Sequence, residues 1–207
     1  MKRLTEKALR ILYEQIRDSG DVANNWHKNE VAYHEKIRSV ARNVAVNGPT
    51  SANQLIGEMI LGKGYVPGNV GQTWNAFPQA KRAAAATYGP RIVPLLEKVD
   101  RAEPLPCDEY ACFRTALSAL SVPPALANRI ASLFFPAQLV NTVTDKSLNA
   151  VYNVLLKSHQ IIAVVAKPGE QWFRRNVAIT TRFRELFPNT DDAWRSCLSW
   201  RIYELFC

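Results

Sequence analysis

Long apolar runs are missing from this sequence. No stretch approaches the ~18 consecutive apolar residues that a membrane-crossing helix requires. The opening MKRLTEKALRILYEQIRDSG carries charge throughout and lacks the apolar centre of a secretory leader, so it reads as an amphipathic helix of the mature fold. Cysteine is scarce as well. Cys107, Cys112, Cys197 and Cys207 have neither the Cys-x-x-Cys spacing of a zinc site nor the density of a disulfide scaffold, and a reducing cytoplasm is the expected home. The three histidines, His27, His34 and His159, stand far in sequence from those cysteines, so no activated thiol or hydroxyl pair shows.

The motifs of phosphate and metal chemistry are also incomplete. A zinc-protease helix carries two histidines one turn apart around a glutamate, whereas HEKIR puts Arg38 where the second histidine belongs. Gly62-Lys63-Gly64 offers no hydroxyl after the lysine, which a P-loop needs to reach magnesium, and Pro67 stands where a dinucleotide fingerprint has its third glycine. A magnesium nuclease of the restriction type spaces an acid and a lysine two apart on a strand, but HEK and TDK have them adjacent, in or beside helical segments. No cofactor and no metal are therefore expected, and a nuclease would need a site of another kind.

What is present is a basic, core-forming chain. With 207 residues, 47% of them hydrophobic, it is long enough to bury a substantial core. Lysine and arginine outnumber aspartate and glutamate by 26 to 18, a net charge of +8 that attracts polyanions at moderate salt. The stretch from 101 to 156 is neutral, and both ends are positive. Apolar residues at helical spacing predict helices over 4–17 and about 29–46, then a short one in TSANQLIGEMIL. GKGYVPGNVGQTWNAFPQ, with four of the nine glycines, reads as a loop. Two short helices broken at Gly89-Pro90 come next, then a proline-rich linker, EPLPCDEY. Glu103 marks a candidate boundary between helical subdomains 1–103 and 104–207, with one continuous domain as the alternative. Further helices lie in CDEYACFRTALSAL, PPALANRIASLFF, DKSLNAVYNVLLKSH, EQWFRRNVAITTRFRELF and TDDAWRSCLSWRIYELF. Only QLVNTV and QIIAVVA carry strand-like runs. The fold class is mainly α, a multi-helix globular bundle with at most a small strand pair.

The carboxy-terminal helices interleave aromatics with arginine. Trp172, Arg174, Arg175, Arg182, Arg184, Arg195 and Arg201 are the candidate nucleic-acid contacts, because guanidinium forks suit phosphates and guanine edges while an exposed indole stacks on a base. On the other reading, the aromatics are core and the arginines their solvated rim. The segment RIASLFFPAQLVNTVTDKSLNAVYNVLL poses a similar choice between a recognition element and a corner. Pro136 ends a helix, a valine-rich piece crosses its end, and Thr144 or Asp145 caps the next helix, which predicts that Phe135 and Val140 are buried.

That segment resembles the amino-terminal region of McrB-type restriction proteins and related phage-defence chains. There a helix of the form P-x-x-A-x-x-(I/L)-x-x-x-x-(F/Y)-P leads through a short extended stretch into another helix. Pro124, Ala127, Ile130, Phe135, Pro136, Leu139, Val140 and Val143 carry the match. The resemblance implies a module that recognises target DNA, often modified, or a partner, and works beside a GTP-hydrolysing motor; this sequence holds no motor of its own. The expectation is a non-enzymatic DNA-recognition module of a restriction or phage-defence system, with a motor or nuclease as partner. A helical assembly module meeting an acidic protein and a nuclease with an unrecognised site stand as the alternatives.

Overall fold

A computed structural model describes residues 4–18, 21–61, 84–142 and 144–207; the glycine-rich stretch read as a loop, and Val143, lie outside them. The described chain is helical: α1 (Glu6–Asp18), α2 (Asp21–Asn47), a short 3-10 turn (Pro49–Ala52), α3 (Asn53–Leu61), α4 (Ala84–Asp100), α5 (Cys107–Ser118), α6 (Pro124–Phe134), α7 (Asp145–Lys157), α8 (Gln171–Leu186) and α9 (Asp192–Phe206). No strand occurs among the described residues, so the multi-helix bundle stands without the small strand pair.

The apolar stripes read from sequence face inward. Leu9, Leu12 and Ile16 of α1 meet Tyr33, Ile37, Ala41 and Val44 of α2 in one apolar cluster that also takes in Phe113, Ile130, Leu155, Phe183, Leu198 and Ile202. Elements from both sides of Glu103 thus contribute to a common core, with α9 packed on α1, α2 and α7. Each fully buried side chain of this size stabilises by about 1.5–3 kcal/mol relative to exposure.

Helix α4 runs through both of its prolines, where a break at Gly89-Pro90 was expected. Pro90 and Pro94 are four residues apart and both exposed, so the carbonyls they leave without a helical donor face water, while Ile92, Val93, Leu95 and Leu96 are buried on the other side. Packing of α4 along α2 and α3 outweighs the local cost.

The corner between α6 and α7 is held by side chains. The Val140 N–H donates to Asn176 Oδ1 (2.8 Å) and Thr180 Oγ1 (3.1 Å), and the Asn176 amide returns a bond to the Val140 carbonyl at 2.9 Å. The Asn141 N–H donates to Ser196 Oγ at 3.0 Å, and the Thr142 and Ser199 hydroxyls pair at 2.7 Å. With the Val140 N–H and carbonyl, the Asn141 N–H and the Thr142 carbonyl taken by side chains of α8 and α9, these groups need no β partner. Thr144 caps α7 by accepting from the Ser147 N–H at 3.0 Å. Phe135 and Val140 are buried, at 6% and 1% exposure, as expected for a corner.

Candidate nucleic-acid interface

The outer side of the same corner borders a cleft of about 560 Å³. Its apolar floor comes from Leu133, Phe134, Phe135 and Pro136, with Ile37 of α2 and Val177 of α8 as walls. A second hollow of about 400 Å³ adjoins it, and the two share His34, Arg38, Arg184 and Asp192. The size and lining are those of ligand-binding clefts in general: mostly apolar, with a few convergent polar groups.

Charge at the cleft is unequally committed. Among its carboxylates, Glu103 pairs with Arg101 (2.8 Å) and Lys98 (3.6 Å), Asp192 pairs with Arg195 (2.5 Å), and Asp191 pairs with His27 (2.7 Å) while capping α9. The two guanidiniums differ. Arg38 of α2 has no carboxylate within 4 Å among the described residues, and Arg184 of α8 donates only to the Ala137 carbonyl, at 2.9 Å. An arginine carries five N–H donors, so Arg184 keeps most of its hydrogen-bonding capacity for an anion.

Behind the cleft lies a buried polar centre. Glu30 of α2 is 1% exposed, with Ser196 and Asn141 approaching its carboxyl without good hydrogen-bond geometry and His34 Nε2 at 3.9 Å. Burial pushes the Glu30 carboxyl up to about 8, and the nearby Asp191 and Asp192 charges add to the shift, so it is protonated at neutral pH. His34, 6% exposed, is pushed down to about 4 by burial and by the neighbouring Arg38 charge. Both groups are neutral at pH 7, and of the two His34 lines the cleft.

The residues singled out in the carboxy-terminal helices do not form one surface. Trp172 is core, not reader: it is 1% exposed, donates Nε1–H to the Thr142 carbonyl at 3.1 Å and stacks on Tyr110, so no face is open to a base. Arg195 is likewise buried, holding Asp192 and the Phe187 carbonyl at the start of α9. Arg174 pairs with Glu170, Arg182 with Glu6 and Glu185, and Arg201 with Glu204. Only Arg175 and Arg184 of the set are free of a carboxylate. Arg175 donates to Asn149 and lies over the Tyr152 ring at 5.2 Å. It is nine positions from Arg184, about 900° of helix, so the two point to opposite sides of α8.

The residue that sequence reading passed over is Arg38. In sequence it stands only where a metal-binding helix would have its second histidine, and its place in the cleft with Arg184 depends on how α2 packs at the corner, which no local pattern encodes. Among the described residues no group of three or more His, Cys, Asp and Glu gathers as a metal site, and no helix is long and apolar enough to cross a membrane. No family model, curated protein or solved structure matches this chain.

Proposed function

We propose that this chain is a non-enzymatic nucleic-acid-binding module that holds DNA at the corner cleft, with Arg38 and Arg184 as phosphate contacts. The observation that carries the reading is the pair of guanidiniums, brought by α2 and α8 to one cleft and unmatched by acid, in a chain of net charge +8. Arg42, one turn beyond Arg38 on α2 and exposed, extends the positive stripe along which a backbone would run. Guanidinium forks meet phosphate oxygens bidentately, and each phosphate neutralised releases counterions.

The likeness of the 124–143 segment to McrB-type restriction proteins supports placing the module in a restriction or phage-defence system, with a motor or nuclease as its partner. In that arrangement Phe135, Val140 and the side chains that fasten the corner are scaffold, and the cleft beside them is the working surface. The test is binding of fluorescent duplex DNA across a salt series, with magnesium present. The reading predicts a linear fall of log affinity with log salt, a slope of about −2 to −3 from two or three phosphate contacts, and intact DNA. No binding at low salt removes the reading, and salt-sensitive capture of an acidic protein in its place puts the assembly-module alternative first. Magnesium-dependent cleavage would make the chain a nuclease.

A further inference from the structure

The cleft is more apolar than phosphate contact requires. Phosphates running over Arg38 and Arg184 need only the two guanidiniums, yet the cleft they line also carries Phe134, Pro136 and Val177, in a volume of about 560 Å³. The acids that line it, Glu103 and Asp192, are held in ion pairs, and His34, whose Nε2 has no hydrogen-bond partner, lines the same space as a neutral ring. Resting on the nucleic-acid reading above, we propose that this cleft takes one unstacked nucleotide, its planar ring on the apolar floor and its phosphate between Arg38 and Arg184.

The chemistry of the lining selects that class of ligand. A flat ring with apolar faces gains from leaving water for a floor of Phe and Pro side chains, and the dianion or diester beside it is met by donors with no carboxylate within 4 Å among the described residues. A base within a stacked duplex has both faces covered and cannot lay one on a protein floor, so the nucleotide must come unstacked, as it does in single strands or when extruded from a helix. The Gln138 side chain makes the cleft firm on one side, because its amide both donates to and accepts from the Leu105 backbone, at 2.8 and 3.0 Å. On the other side Arg184 is tied to the Ala137 carbonyl, which holds its guanidinium along the corner before any ligand arrives.

Three sources share this chemistry: a free nucleotide, a single strand and a duplex that gives up one base. They separate with three probes added to the full chain: a deoxynucleoside 5′-monophosphate, a single-stranded oligonucleotide containing 2-aminopurine, and the same strand in a duplex. Two variants narrow the cleft. Thr181→Trp starts from an exposed residue on its rim and Val177→Phe from a half-buried wall, so that failure of one to fold leaves the other. Expected for the parent is a rise in 2-aminopurine emission on binding and displacement of the strand by the monophosphate. Expected for either variant is a loss of about tenfold in monophosphate affinity and of the emission change, with the salt slope for duplex DNA retained. If the parent binds DNA with no emission change and no monophosphate competition, the cleft proposal is overturned while the DNA reading survives. If the parent binds monophosphate but neither strand, the cleft stands as a free-nucleotide site and the DNA reading falls. Variants that bind all three probes like the parent also overturn the cleft proposal.

Discussion

Replacing Glu30 by glutamine tests the buried centre behind the cleft. The folded protein holds this carboxyl protonated up to about pH 8, against an ordinary value of 4.5 in the unfolded chain. From 4.5 upward the unfolded chain therefore releases a proton that the folded chain keeps. The contribution of Glu30 to stability is full below 4.5, declines as pH rises and levels off above 8. His34 acts in the opposite sense: it is held neutral down to about 4 against an ordinary 6.5, so it withdraws stability as pH falls from 6.5 towards 4. His34 contributes equally to the parent and to Glu30→Gln, so the difference between them reports Glu30. One proton retained on folding between pH 6.5 and 8 corresponds to on the order of 1–2 kcal/mol. The charges of Asp191 and Asp192 raise it, and Ser196 and Asn141 do not titrate. Urea denaturation of the parent and Glu30→Gln at pH 6.5 and 8 should show the variant gaining on the order of 1–2 kcal/mol on the parent between the two. A difference that does not change with pH would refute a protonated, buried Glu30.

Phe135→Ala should cost about 3–5 kcal/mol in chemical denaturation, because the ring is buried where α6 ends and leaves a cavity under the corner; a loss under ~1 kcal/mol would place it on the surface. Trp172→Phe should cost about 1–2 kcal/mol through the bond to the Thr142 carbonyl and leave DNA discrimination unchanged, as checked by melting and by binding to two unrelated sequences. Arg182→Gln should leave the salt slope of DNA binding where it is, since Glu6 and Glu185 already neutralise that guanidinium; a slope reduced by ~1 would make it a phosphate contact.

Much of the helical layout was legible because its signals are local. The stripes Leu9, Leu12, Ile16 and Ile37, Ala41, Val44 follow helical periodicity, and the Thr144 cap follows from one hydroxyl ahead of an apolar run. Burial of Phe135 and Val140 followed from a proline flanked by apolar residues. Legibility ended where distant elements decide. Pro90 and Pro94 stay within α4 because a tertiary face buries the opposite side, and QLVNTV is satisfied by Asn176 and Ser196 instead of a strand. The arginines of α8 and α9 looked alike in sequence, but what distinguishes them is their partners, such as the Glu6 that reaches Arg182 from α1 and the corner carbonyl that holds Arg184. Arg38 became a candidate only once α2 was placed across the cleft.

The most direct test of the account is the salt dependence of DNA binding by Arg38→Gln/Arg184→Gln beside Arg174→Gln/Arg201→Gln, each confirmed as folded by circular dichroism. The cleft pair has no carboxylate to answer it, whereas Arg174 and Arg201 are matched by Glu170 and Glu204. The account predicts that the first variant lowers the slope of log affinity against log salt by about 1.8, the equivalent of two phosphate contacts, and that the second leaves it unchanged. Equal slopes for the parent and the Arg38/Arg184 variant would contradict the assignment of the cleft as the DNA-binding surface.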